Sequence, residues 1–299
     1  MRISGDPLAD LAVNEVFALD DVDRANQLLR HFDKNFETIP EGLPPLLRTY
    51  LEQSAVLPSW VDKVQFERGN DLLGRYAPQL VMGLLCHSLP CCYVCADGAQ
   101  VLMLSQRFQD YGRRRIMETT QFLLDVLDEG SLEPGGYGLR SIQKIRLLHA
   151  TVRHHVVKVP TWNHAWGLPI NQEDLAGTML TFAVLAPRAI EQLGADLTHD
   201  QRESFVHVWK VIGSMLGLDD RLLPDSYDHA TQLLNRILER NQRTSEAGVQ
   251  LTKALLEVLA DIIPGTIVDG IPASLIRFFA GDTFAEMLGV PEANWTRHL

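Results

Sequence analysis

Two long stretches of helical periodicity lie next to each other in this chain, and the breakers between them dictate how they can be joined. From Gly112 to Asp128, Ile116, Thr120, Leu123 and Leu127 share one stripe, with Arg115 and Thr119 beside it. Apolar residues three and four apart fall on one face of an α-helix. From Arg140 to Lys158, Ile142, Ile145, Val152 and Val156 repeat the pattern, which stops before Pro160. Between them run Gly130 and Ser131-Leu132-Glu133-Pro134-Gly135-Gly136-Tyr137-Gly138, a string that neither helix nor strand accommodates. The spacing predicts two helices joined by a glycine-rich loop.

The same period continues downstream. Asn171-Gln172-Glu173-Asp174-Leu175 reads as a capped helix start with acids in its first turn. Thr198, with Asp200, Gln201 and Glu203, opens a helix through Met215 that Gly217 closes. Residues 226–240 and 245–262 follow, then a short segment after Pro272. Candidate strands are few, and no Ser/Gly-rich linker or repeat divides the chain. The expectation is one all-α domain over residues 1–299, of about ten helices, with residues 1–35 as a peripheral N-terminal segment.

Composition narrows the class. With 46% hydrophobic residues the chain is too apolar for a disordered protein, and a net charge of −11 argues against a nucleic-acid partner. The basic residues are mostly arginine, and residues 107–158 carry nine of the 27, which makes that segment +3 while the remainder is −14. Arginine is suited to planar recognition of carboxylates and phosphates. The start, MRISGDPLADLAVNEVF, lacks a basic region followed by an apolar one, so a secretory signal is not expected. The four cysteines, Cys86, Cys91, Cys92 and Cys95, lie within ten positions and cannot staple distant segments. A cytoplasmic location is expected.

From Ala77 to Ala96 no residue is charged. That length could span a bilayer, yet the run holds Pro78, Gln79, His87, Ser88 and Pro90 and reads as a buried helix. No stable membrane span is expected; peripheral contact stays open. Cys92 and Cys95, with Cys86 and His87 nearby, have zinc-ligand chemistry, but an apolar setting without a second CxxC favours buried thiols.

Familiar catalytic motifs are missing. The chain has no GxSxG, GxxxxGK[ST], HExxH or GxGxxG, and no histidine has Glu three positions before it, as a di-iron bundle requires. What survives is His149. It shares the apolar stripe of Ile142, Ile145, Val152 and Val156, with Arg146 three before it and Arg153 four after. One reading is a core histidine bonded to a carbonyl, with arginines in surface salt bridges. The other is a haem site, in which the imidazole is axial and the arginines meet propionates.

The run Gly98-Ala99-Gln100-Val101-Leu102, Arg107-Phe108, Arg114-Arg115-Ile116-Met117-Glu118-Thr119-Thr120-Gln121-Phe122 and Ile145-Arg146-Leu147-Leu148-His149-Ala150-Thr151-Val152-Arg153 resembles the latex-clearing protein family, which includes rubber oxygenases and MpaB-type oxygenases. Pro169-Ile170-Asn171-Gln172-Glu173-Asp174-Leu175 resembles bacterial members. The likeness covers residues 75–225, and its strongest element is RxxxT followed thirty residues later by HAxVR.

The resemblance implies a globin-like α-helical core with haem b, and O2 as co-substrate. His149 matches the axial ligand of the iron; Arg153, Arg146 and Arg115 match residues around the cofactor; Arg115 and Thr119 line the haem or its distal side. Where rubber-cleaving members carry a lysine before that threonine, this chain has Glu118, which speaks against lysine ligation and against rubber as substrate. Glu118 is a candidate proton acceptor, the alternative being a surface pair with Arg114 or Arg115. The family's acidic residue would fall near Ala99 and Gln100, so no base is carried over. The implied activity is haem-dependent oxidation or cleavage of a C=C bond in a small apolar substrate, isoprenoid or lipid-like. A haem sensor or carrier is the alternative.

Overall fold

The computed structural model describes residues 1–105, 111–262 and 270–292, with the backbone alone at 111–113 and 115. Fifteen α-helices follow one another among the described residues: α1 Pro7–Ala18, α2 Val22–Leu29, α3 Pro45–Gln53, α4 Lys63–Gly83, α5 Leu89–Tyr93, α6 Ala96–Leu104, α7 Tyr111–Leu127, α8 Gly138–Val156, α9 Gln172–Leu180, α10 Ala186–Gln192, α11 His199–Met215, α12 Tyr227–Asn241, α13 Glu246–Ile262, α14 Ile271–Ala280 and α15 Asp282–Met287. The all-α expectation holds. The number exceeds ten partly because two long apolar helices are interrupted by π-helical turns, Leu84–Ser88 and Thr181–Leu185.

The core is organised around α4 and α11. A Cβ at Gly69 would lie 2.5 Å from both the Ser204 carbonyl oxygen and Val208 Cγ2, so glycine is what lets these two helices approach so closely. Phe205, Val208, Trp209 and Ile212 of α11 are buried there, and Trp209 stacks on Phe182 with ring centroids 4.8 Å apart. Helices α10, α12 and α9 complete this layer, while α7 and α8 pack as the pair expected from their periodicity. Asn171 and Thr198 cap α9 and α11 as their sequence contexts predict, Thr198 in a reciprocal capping box with Gln201.

The uncharged run becomes the end of α4, a π-helical turn and α5. Tyr76 leaves helical geometry (φ −129, ψ 26) shortly before Pro78, which lacks an amide donor and crowds the preceding turn. The two π-helical turns pack against each other, and Ser88 Oγ donates to the Thr181 carbonyl at 3.0 Å. Such turns shift the backbone register by one residue and often lie at functional sites. No helix among the described residues is long and apolar enough to cross a membrane. All four cysteines are free thiols and burial raises the pKa of each, Cys86 to about 12. No cluster of metal-ligating side chains occurs among the described residues.

A second cluster joins α1, α2 and α3 to the outer side of α8, with Ala9, Ala12, Leu47, Tyr50 and Ala150 buried in it. Asn35 fixes the breaker loop: its Nδ2 donates to the carbonyls of Ser131 (2.7 Å) and Glu133 (2.9 Å), and its Oδ1 accepts from Leu139 N at 3.0 Å. The segment expected at the periphery therefore sends its first ten residues, and Asn35, into the structure that carries α8.

Candidate active site

Helix α8 shows two adjacent faces. On one, Ile142, Ile145, His149, Val152 and Val156 form the apolar stripe; on the other, Gln143, Arg146, Leu147, Ala150 and Arg153 meet the N-terminal helices. At 100° per residue the two arginines point about 50° round the helix from His149. The stripe's ends are fully packed, Ile142 at 0% and Val156 at 3% exposure, but Ile145, His149 and Val152 between them are only part-buried.

Helix α7 behaves the same way. Val126 and Leu127 near its C-terminal end are buried, whereas Ile116, Thr119, Thr120 and Leu123 are part-buried. Leu102 and Met103 of α6 border the same core and are also part-buried. A packed helix should be most buried along the middle of its apolar stripe. On α8 the part-buried middle of the stripe is where His149 stands. One part-buried imidazole among apolar side chains, with a part-buried threonine hydroxyl on the neighbouring helix, has the donor chemistry to hold a mostly apolar prosthetic group through a single nitrogen.

The other candidates sit as follows. Arg146 donates through Nε and Nη2 to Asp6 (2.5 and 2.9 Å) and through Nη1 to the Met215 carbonyl at 3.1 Å. Arg153 donates to Asp10 at 2.8 Å and to the Ile170 carbonyl at 2.8 Å. Both guanidinium groups, expected at propionates, thus hold carboxylates of the protein's own N-terminal segment. Glu118 is exposed and pairs with Arg114 at 2.8 Å, the surface alternative set out above. The Arg115 side chain lies outside the described residues. His154 stacks on Phe17 and bonds Asn14 at 2.7 Å, while His155 and His164 are exposed.

Residues 94–299 match the family described as ER-bound oxygenase mpaB/B'/Rubber oxygenase, catalytic domain. The chain belongs to that family. It is 28% identical over 298 residues to the rubber oxygenase of Streptomyces sp. (strain K30), covering 95% of this chain and 70% of that protein. Its fold matches a solved latex clearing protein in the closed state with a TM-score of 0.87, at 26% identity, over 97% of this chain and 79% of that one. Membership makes this oxygenase an oxidoreductase and implies haem b and dioxygen.

The oxygenase also contains a polar cluster that sequence reading missed. Arg2, ahead of α1, reaches Asp174 (3.1 Å), Asp97 (3.2 Å), Asn241 (2.9 Å) and the Trp166 carbonyl (2.5 Å). Glu173 is 3.8 Å from Arg2 and 3.2 Å from Arg240, and Arg243 pairs with Asp97. Burial pushes the Asp174 carboxyl up to about 6, against the opposing pull of Arg2. Asp97 lies two residues before the stretch where the family's acidic residue was expected, but it is tied to two arginines. Local spacing gave no signal for this cluster, because its members come from residues 2, 97, 173–174 and 240–243.

Proposed function

We propose that this chain is a haem b-dependent oxygenase that uses O2 to oxidise or cleave a C=C bond of an apolar, isoprenoid or lipid-like substrate, acting in the cytoplasm. The observation that carries this reading is His149 in the middle of the apolar stripe of α8, where Ile145, His149 and Val152 are only part-buried between the packed Ile142 and Val156. When bound, the haem supplies the iron at which dioxygen is activated. His149 would hold that iron, in a globin-like arrangement of helices.

The chain's own residues then have distinct tasks. Ile116, Leu123, Ile145 and Val152 keep water from the reacting carbons, which favours an apolar substrate over a polar one. Thr119, part-buried on α7, is the hydroxyl proposed to donate to an oxygen-bearing ligand. Arg115, one helical turn before it, is the cation proposed to meet a propionate. Glu118 is left out of the proposed machinery, since it is exposed and bound to Arg114.

An absorption spectrum tests the reading directly. Protein from haem-replete cells, or protein titrated with haemin, should show a Soret band that His149→Ala abolishes and His164→Ala leaves intact. A colourless preparation that haemin does not change would overturn the haem assignment. A Soret band with no oxygen uptake on polyisoprenoid or unsaturated-lipid substrates would instead identify a haem sensor or carrier.

A further inference from the structure

The two arginines that flank His149 are gripped by one short segment. Asp6 is the N-cap of α1: its Oδ1 accepts from Ala9 N (3.3 Å) as well as from Arg146 Nη2, while its Oδ2 accepts from Arg146 Nε. Asp10, one turn on, accepts from Asp6 N through Oδ2 (3.1 Å) and from Arg153 through Oδ1. The sites are built closely around these pairs. A Cβ at Gly217 would lie 2.6 Å from Asp6 Oδ2 and 2.7 Å from Arg146 Cζ; one at Gly5 would lie 2.7 Å from Asp10 Oδ2 and 3.1 Å from Arg153 Nε. Asp6 and Arg153 are only 5% and 6% exposed.

Each arginine is also bonded away from α1, Arg146 to the end of α11 and Arg153 to the loop before α9. Helix α8 is therefore held at two points, three residues before and four residues after His149. Two fixed points seven residues apart, about 10 Å along the axis, oppose rotation of the helix, and rotation is the motion that would turn the imidazole from its direction.

We propose that Asp6 and Asp10 are positioning residues for His149: through Arg146 and Arg153 they set the rotation of α8 and so the direction in which the imidazole meets its iron. The inference rests on the haem reading above. It assigns Arg146 and Arg153 to the orientation of α8 and leaves the propionates to other cations. The geometry behind it is that of a rigid outer layer around a metal ligand, whose removal typically costs about 10–100-fold in affinity.

The test is a haemin titration followed at the Soret band, with the spectrum at saturation and the apo-protein Tm recorded in parallel. Asp10→Asn is expected to weaken haemin about tenfold and alter the saturated spectrum, and Asp10→Glu to restore part of both. In a His149→Gly background with imidazole supplied free, the axial ligand no longer takes its direction from α8, and D10N should change haemin affinity less than twofold. If D10N lowers Tm but leaves affinity and spectrum unchanged, or weakens haemin equally in the His149→Gly background, the pairs are structural only and the proposal fails. Tighter haemin binding by D10N would mean that a freed Arg153 serves a propionate, which also overturns it. If D10N does not fold, Asp10→Glu carries the same readouts against wild type. A wild-type protein with no Soret band fails the haem reading itself, a result distinct from all of these.

Discussion

Helices α7 and α8 both carry arginines and pair them in contrasting ways. In α7, Arg114 reaches Glu118 one turn along the same helix, and the two side chains are 67% and 53% exposed. In α8, Arg146 reaches Asp6, 140 residues earlier in the chain, with exposures of 11% and 6%. The first pair is screened by water and salt and adds little. The second has lost its water, so each charge depends on the other, and breaking it leaves an uncompensated buried ion. Pairing within one helix decorates a surface, whereas pairing between elements fixes where a helix sits.

The largest test of this contrast removes one buried partner. Asp6→Ala should cost about 3–5 kcal/mol in urea unfolding, whereas exchanging both partners for apolar residues, Asp6→Leu with Arg146→Met, should recover much of that loss. If the single variant costs no more than Glu118→Ala, the distinction between the two helices collapses. Gly217→Ala comes next. It places a methyl against the Asp6–Arg146 pair at a residue with φ +84, and should cost about 1–3 kcal/mol in the same measurement.

Two buried titrating groups sharpen the contrast through pH. Asp174 has its pKa raised to about 6, so its contribution to stability is full below about pH 4 and is lost as pH rises through 6. His87 has its pKa lowered to about 4 by burial, with Arg188 adding to the effect; its contribution is present above pH 6.5 and is lost as pH falls through 4. Urea midpoints measured from pH 4 to 7 should therefore respond in opposite senses: Asp174→Asn removes a loss on raising pH, and His87→Gln removes a loss on lowering it. Equal slopes for both variants and wild type would show that neither group is desolvated as described. The smallest effect is expected at the exposed pair, where Glu118→Ala should change stability by less than about 0.5 kcal/mol, and by less still at high salt.

What could be read from the sequence follows the same division. The α7 and α8 boundaries, the Asn171 and Thr198 caps and the breaker loop are local, and the structure reproduces them within two or three residues at the helix ends. The thiol character of Cys86 to Cys95 was likewise legible from an uncharged apolar setting. The stripe bearing His149 was legible as a period, but the partial burial of its middle depends on what packs against α8. Least legible were the partners of Arg146 and Arg153. Spacing placed both guanidinium groups about 50° round α8 from His149, yet nothing near residues 146 or 153 indicates that Asp6 and Asp10 arrive there. The π-helical turns were also invisible, because one extra backbone residue per turn leaves the apolar content of a segment unchanged.

The seat of Arg2 has a consequence for the order of assembly. Its acceptors include Asp97, Asp174 and Asn241, the last separated from it by 239 residues. On the ribosome the segment that carries Arg2 is made long before the receptor it enters, so this closure must come late, whatever the speed of the individual helices. Until residues 240–243 have emerged, Glu173 and Asp97 lack Arg240 and Arg243, and Arg2, ahead of the segment bearing Asp6 and Asp10, lacks Asn241. An emerging chain should thus become protease-resistant around α4 and α11 before its first ten residues do, with protection of those residues marking the completed fold.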